Sequence, residues 1–374
     1  MRIGINGLYL IPSRVGGSET YLRSLVANMR EVGPDHAYVL FTNRENHETF
    51  ADGDNLVRVL CPIRATFRPA RILWEQTCLP IQALRQKLDV LLSPGFTSPL
   101  VCPCPSVVTI YDLQHVRHPE HFYRSHLIFW NLMVGLSARR AAKVLTLSEH
   151  SRRDIIETYG IEASKVIVTP LAADAVFNPH YTREEVEGAK MRHGLSRPYL
   201  LCVSTSHPHK NIERLIDAFE IVADEGHIPY ELVLVGVKGF AAERIAGRIE
   251  ASPRRSSIRN LGWVSTSDLP LLYAGADAMV YPSTFEGFGL PVLEAMACGT
   301  PVIASRAASL PEVVGDAGLL FDPFDTAEMA AQIRRVIGDP ALQGELRARG
   351  RAHAAGFSWK ETARQTLEQL ESAA

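Results

Sequence analysis

Residues 281–301 read YPSTFEGFGLPVLEAMACGTP. A strand pattern ends at Tyr281-Pro282, a loop carrying Gly287 and Gly289 follows, and Pro291 stands where a helix places its first residue. Proline suits that place because its missing N–H is not needed in the first turn. The predicted helix runs through Leu293, Glu294, Ala295 and Met296 and stops at Gly299, a natural left-handed end. Strand, glycine loop and helix in this order form one unit of a doubly wound α/β sheet. The unpaired N–H groups of the helix start, with backbone bared by the glycines, make an anion site that suits a nucleotide diphosphate.

The same alternation extends over all 374 residues. Strand patterns fall at Arg2–Asn6, Tyr38–Thr42, Leu56–Cys61, Val90–Ser93, Val107–Tyr111, Val144–Leu147 and Val166–Thr169. They continue at Tyr199–Ser204, Glu231–Val235, Ile258–Leu261, Ala278–Tyr281, Pro301–Ala304 and Leu319–Phe321. Most are apolar throughout, as parallel strands covered on both faces are. The chain is too long for one ordinary core, and a seam at Pro170–Pro179, PLAADAVFNP, divides it. The expected architecture is α/β: two Rossmann-like doubly wound domains, 1–172 and 173–357, facing each other across a cleft. The last helix, 358–374, is expected to return to the first domain.

Hydrophobic residues make up 46% and charged residues 21% of the chain, the profile of a globular protein. A formal charge of −2 offers no basic field for nucleic acid. Arg64, Arg68 and Arg71 do cluster beside Phe67 and Trp74, as a solvated loop or as an acceptor or lipid-headgroup patch. Six cysteines follow no framework, and Cys102-Pro-Cys104 lacks a second pair at zinc-site spacing, so reduced thiols in a cytoplasmic protein are expected. MRIGINGLYL enters a strand directly, unlike a signal peptide, and no apolar run reaches membrane-spanning length. The aromatic-rich segment Phe122–Ala142 is either a buried domain helix or a dock for a lipid-linked acceptor.

Two carboxylates flank the anion site. Glu294, near the helix start, complements the dipole, but Glu286 lies outside the helix and needs another account. Carboxylates accept hydrogen bonds from paired hydroxyls, and a sugar nucleotide presents two sets, on hexose and ribose. At 204–211, STSHPHKN, a strand gives way to a helix that Asn211 is expected to cap. Its apolar positions Ile212, Leu215, Ile216, Phe219 and Val222 follow helical spacing. Lys210 therefore stands beside a helix N-terminus, where a cation is disfavoured unless it shares a phosphate with that end. Ser204 and His209, on the same loop, are further candidate donor contacts. At 13–19, SRVGGSE, Gly16 and Gly17 permit close approach of a ligand before a helix capped by Ser18. This is not G-x-G-x-x-G, which argues against a nicotinamide enzyme. Asp112, at a strand end, is either a polar group at a reaction centre or the cap of the following turn.

With these elements in place, the sequence resembles the GT-B-fold retaining glycosyltransferases of family 4, which include many bacterial mannosyltransferases of polysaccharide assembly. The likeness runs nearly the whole length and is strongest over 199–323. There EGFGLPVLEAMACGTPV carries the family's paired glutamates as Glu286 and Glu294, followed by SLPEVVGDAG and by Phe321-Asp322-Pro323. The resemblance implies that Lys210 binds the donor diphosphate, Glu294 the ribose hydroxyls and Glu286 the transferred hexose near the reacting carbon. It places the backbone of Gly287, Phe288, Gly289 and Leu290 on phosphate oxygens or sugar, Gly262–Val264 near the base, and Gly16 and Gly17 on the diphosphate. It further implies transfer of a hexose, with GDP-mannose the first-choice donor, to a hydroxyl of a glycan or lipid-linked glycan. No paired-aspartate motif stands ready for a metal, so metal-independent transfer is expected, in a cytoplasmic enzyme with peripheral contact to the inner membrane face. The sequence departs from many relatives at His209 and Thr205, where an arginine is common, and at Tyr111, where a histidine is. Tyr111 retains a hydroxyl to offer a donor sugar. A sugar-nucleotide epimerase or hydrolase of like architecture, and a non-catalytic sugar-nucleotide scaffold, are the alternative readings.

Overall fold

The computed structural model describes residues 1–12, 16–121, 124–226, 229–236 and 239–374. Ser13, Arg14, Val15, Phe122 and Tyr123, part of two segments quoted above, lie outside them. Among the described residues, thirteen strands form two parallel sheets. The first holds β1 (Arg2–Asn6), β2 (Ala37–Thr42), β3 (Leu56–Leu60), β4 (Val90–Ser93), β5 (Ser106–Thr109), β6 (Lys143–Thr146) and β7 (Val166–Val168), in the order β3-β2-β1-β4-β5-β6-β7. The second holds β8 (Tyr199–Val203), β9 (Glu231–Val235), β10 (Ile258–Gly262), β11 (Ala278–Tyr281), β12 (Val302–Ser305) and β13 (Leu319–Phe321), in the order β10-β9-β8-β11-β12-β13. Both orders reverse once, at β1/β4 and at β8/β11.

The chain divides into two compact units, Met1–Leu171 with Ser358–Ala374, and Ala172–Phe357. In the second unit, Leu200, Leu232, Leu234, Val280 and Ile303 of the sheet pack against Leu215, Phe219 and Val222 of the helix Ile212–Gly226. Each such side chain, fully buried, stabilises the fold by roughly 1.5–3 kcal/mol. In the first unit, the helix Trp359–Ala373 packs on the helix Gly17–Val32 and buries Trp359, Leu367 and Leu370. Thr362 Oγ1 donates to the Pro170 carbonyl at 2.5 Å, fastening this helix where the chain leaves the unit.

Three local expectations change. Gly16, at φ 55°, caps the helix Gly17–Val32, so Ser18 is not its cap; the Ser18 carbonyl accepts from Tyr9 Oη at 3.2 Å. Glycine reaches that backbone region without steric cost, which a serine does not. The arginine cluster is no single solvated loop, because Arg71 is buried 3.8 Å from Glu75 within the helix Arg68–Arg85. The helix Arg124–Arg140 is not wholly buried: Met133, Val134 and Ala138 are buried, while Ile128, Phe129 and Leu132 are exposed. Among the described residues, no helix is long and apolar enough to cross a membrane.

Leu370 is fully buried beneath the returning helix. Leu370→Ala is expected to cost about 2–5 kcal/mol through lost burial and the cavity left behind. Scanning calorimetry reads this as a lowered melting transition, and an unshifted transition contradicts it.

Candidate functional site

Where the strand order of a parallel sheet reverses, the carboxyl ends of the strands diverge and leave a crevice for ligands. In the second unit that point lies between β8 and β11. Ser204, just past β8, donates its N–H to the Val235 carbonyl at 2.9 Å and holds the loop against β9. Pro208–Lys210 then forms a tight turn, which Asn211 closes with left-handed backbone at φ 57°. The Asn211 amide donates to the carbonyls of Pro282 at 3.1 Å and Pro323 at 2.7 Å. It therefore fastens the loop to the ends of β11 and β13. Asn211 stands directly before the helix Ile212–Gly226 as expected, its carbonyl accepting from Leu215 N at 3.3 Å, but its side chain makes these tertiary bonds. His209 contributes its carbonyl, which accepts from Thr284 N at 2.7 Å and Thr284 Oγ1 at 3.2 Å.

This stitching brings Lys210 Nζ to 2.5 Å from Glu286 Oε1 and 3.3 Å from Tyr281 Oη. The two charged side chains are only 13% and 12% exposed. Two residues given separate ligands by sequence reasoning are thus one another's partners. Removing one member of so desolvated a pair costs on the order of 3–5 kcal/mol, because the other charge is stranded.

The glycine loop is held from behind. Gly289 caps the helix Leu290–Ala297 at φ 109°, and a Cβ there would stand 2.6 Å from Leu310 Cδ2, so only glycine fits. Pro291 is the second residue of this helix, one place later than expected. Ser309 Oγ lies 2.9 Å from the carbonyls of both Glu286 and Phe288 and shares its proton between them. Phe288 and Leu290 bury their side chains, so the loop presents chiefly backbone. Glu294, in the next turn, accepts from Tyr273 Oη at 3.1 Å. Burial pushes the Glu294 carboxyl up to about 7; the Tyr273 hydrogen bond opposes this shift and the Asp174 charge adds to it. Beyond β10, Val264 is buried and Trp263 is 70% exposed.

In the first unit, Asp112 Oδ1 accepts from Gln114 N at 2.9 Å, so this carboxylate does cap the turn into the helix Gln114–Arg117. The buried Tyr111 hydroxyl donates to the Pro94 carbonyl and lies 3.1 Å from Tyr9 Oη. That commitment corrects the expectation that Tyr111 offers its hydroxyl to a donor sugar. A Cβ added at Gly16 or Gly17 would meet nothing within 4 Å, so this backbone is open within its unit. Sequence reasoning missed the supporting residues Tyr273, Tyr281 and Ser309. It also missed the buried bond, at 3.1 Å, from Asn6 Nδ2 to Glu75 Oε2. One signal was present: Glu75 is the sole carboxylate in the helix Arg68–Arg85.

The family model for Glycosyltransferase Family 4 matches residues 15–176, and that for Glycosyl transferases group 1 matches residues 184–353. O-antigen chain mannosyltransferase B of Escherichia coli is 36% identical over 262 residues, covering 70% of this chain and 69% of that protein. The serotype-specific mannosyltransferase WbdA of Escherichia coli is 33% identical over 271 residues, covering 72% of this chain and 33% of that protein. Sucrose-phosphate synthase from Thermosynechococcus elongatus superposes with a TM-score of 0.81 at 21% identity, covering 100% of both chains. HepE of Anabaena, in complex with UDP and glucose, superposes with a TM-score of 0.76 at 22% identity, also covering 100% of both. The fold is therefore that of the GT-B enzymes, and the match over both units makes the chain a glycosyltransferase that uses a nucleotide sugar. It belongs to glycosyltransferase family 4.

Glu294 makes stability depend on pH. With its carboxyl raised from 4.5 to about 7, the folded chain retains a proton that the unfolded chain has released between those values. Stability therefore falls as pH rises through that window. Melting temperatures of the ligand-free wild type should fall from pH 5 to pH 7 relative to Glu294→Gln, whose neutral amide does not titrate; parallel profiles would contradict the assignment.

Proposed function

We propose that this enzyme is a retaining mannosyltransferase, moving mannose from GDP-mannose to a hydroxyl of a glycan or lipid-linked glycan in surface polysaccharide assembly. The observation that carries the reading is the desolvated Lys210–Glu286 pair at the β8/β11 reversal, beside the N-terminus of the helix Leu290–Ala297. The two named mannosyltransferases of Escherichia coli support the choice of sugar.

Transfer places positive character on the sugar ring and negative charge on the departing diphosphate. Lys210 exchanges Glu286 for the diphosphate and, with the N–H groups at the helix start, stabilises the leaving charge, where preorganised electrostatics contributes most. Glu286, so released, faces the hexose near its reacting carbon. Glu294 takes the ribose hydroxyls, for which a charged carboxylate is the better acceptor. Backbone of Gly287, Phe288, Gly289 and Leu290 holds phosphate oxygens or sugar, Ser204 and His209 shape the loop under the diphosphate, and Val264 lies on the base side. The second unit is the donor domain and the first the acceptor domain in this reading. Asp112 is the acceptor domain's candidate catalytic polar group, and Gly16 and Gly17 offer open backbone to an anionic ligand.

Peripheral contact with the inner membrane face belongs to the same proposal. The helix Arg68–Arg85 and the turn before it expose Phe67, Leu73, Ile81 and Leu84 among Arg64, Arg68 and Arg85, while the helix's one carboxylate, Glu75, is buried. Such a face suits an anionic lipid surface. Co-sedimentation with vesicles rich in phosphatidylglycerol, but not with neutral ones, is expected; equal recovery with both counts against it.

Lys210→Ala and Glu286→Ala are each expected to lower kcat with GDP-mannose by about 10²–10³-fold, the loss usual for one preorganised electrostatic group. Wild-type rates from either variant would overturn the site. Cationic charge from Lys210 predicts a rate insensitive to chelator. Among GDP, UDP and ADP, GDP should raise the melting temperature most, since a ligand of the folded state alone stabilises it.

A further inference from the structure

A second concavity adjoins the donor grip farther along the same sheet edge. It measures about 240 Å³ and is lined by Thr284, Arg306, Ala307, Asp322, Pro323 and Phe324, which follow the ends of β11, β12 and β13. Adjacent strands lie about 4.8 Å apart. The cavity therefore stands one to two strand spacings from the Lys210–Glu286 pair, on the side away from β10 and Trp263. Asp322 and Pro323 belong to a stretch the sequence marked, yet the donor assignments leave them without work.

The cavity and the donor loop share their fixings. Asn211 holds the carbonyls of Pro282 and Pro323 together. Thr284 holds His209, and Ser309, two residues past Ala307, holds Glu286 and Phe288. Between Ala307 and Ser309 the chain turns through Ala308 at φ 50°, left-handed backbone that a residue with a side chain adopts at some energetic cost. Strain of this kind persists where surrounding structure enforces it, often beside ligands.

The chemistry of the walls selects a ligand class. Phe324 is 64% exposed, with the Arg214 guanidinium 5.1 Å over its ring, which makes the ring a supported plate. Arg306 Nη2 lies 3.1 Å from Glu328 Oε1, Glu328 also accepts from Asp322 N at 2.6 Å, and Asp322 Oδ1 accepts from Phe324 N at 2.8 Å. Two cations, Arg214 over the Phe324 ring and Arg306 on Glu328, thus stand beside two carboxylates, Asp322 and Glu328, with Arg306 and Asp322 lining the cavity itself. A balanced wall draws in neither an anion such as phosphate nor a cation. A guanidinium, a carboxylate, a threonine hydroxyl and an aromatic plate instead suit a neutral polyol with one apolar face. Pockets for drug-sized ligands measure about 300–1,000 Å³, so this one suits a single sugar ring.

We propose that this cavity is a saccharide subsite for the acceptor, holding one neutral pyranose with its apolar face on Phe324 and its hydroxyls between Arg306 and Asp322. The inference rests on the chain being a glycosyltransferase, not on the identity of its donor. It places part of acceptor recognition in the unit that carries the donor grip, so that Ser309 and Ala307 join the two on one short segment.

The test is isothermal titration of the full chain with linear manno-, gluco- and galacto-tetraoses, in parallel with a GDP titration. At least one tetraose should bind the wild type. Phe324→Ala and Asp322→Asn should each weaken that binding at least ten-fold, and Phe324→Trp should restore it because the plate is kept. Both side chains replaced here lie on the surface, and unchanged GDP affinity certifies that each variant is folded. Binding of no tetraose, or equal binding by wild type, Phe324→Ala and Asp322→Asn, overturns the subsite. Failure of the wild type to bind GDP overturns the donor assignment and leaves the tetraose comparison intact, with an unshifted melting transition of each variant as its fold control.

Discussion

Two opposite charges from turns 76 residues apart meet at 2.5 Å with most of their water removed. Taking ions out of water costs several kcal/mol apiece unless their geometry is held well. Much of the second unit is arranged to hold it. Asn211 ties the lysine's loop to two strand ends, Thr284 locks the turn beneath it, and Ser309 fixes the backbone that carries the glutamate. Under the proposed donor role, binding is an exchange of partners, in which an arriving diphosphate displaces the carboxylate from a lysine already desolvated and already oriented.

The two glutamates of one short motif experience opposite settings. Glu286 has a cation against it, whereas the observed partner of Glu294 is the neutral hydroxyl of a buried tyrosine. Burial without a countercharge disfavours the ionised form and raises the carboxyl toward neutrality. Identical residues of one short motif thus sit in different electrostatic surroundings.

The strands were legible because parallel strands buried on both faces are written as continuous apolar runs, and each observed strand lies within two residues of its expected place. Glu286, Glu294 and Lys210 stood out as candidates because a helix start, two glycines and a cation in an unfavourable place are local signals. The supports were not. Tyr273 reaches Glu294 only through the packing of one helix on another, and Ser309 reaches two carbonyls only because β12 lies beside β11. Ser18 was misread because positive φ at Gly16 shifts the helix entry. Asn211 stands directly before its helix as expected but, with left-handed backbone, turns its side chain to Pro282 and Pro323; spacing alone carries no sign of φ. Tyr111 was misread because its partner carbonyl, Pro94, lies on the neighbouring strand's loop.

The chain leaves the first unit after Leu171, completes the second, and returns at Ser358. This order has a consequence for biosynthesis. A ribosome delivers every residue of the second unit before the helix that covers Gly17–Val32, so the second unit can close while the first still shows water the apolar face reserved for Trp359, Leu367 and Leu370. The earliest residues made are among the last to finish folding, and the nascent first unit is the one that needs shelter.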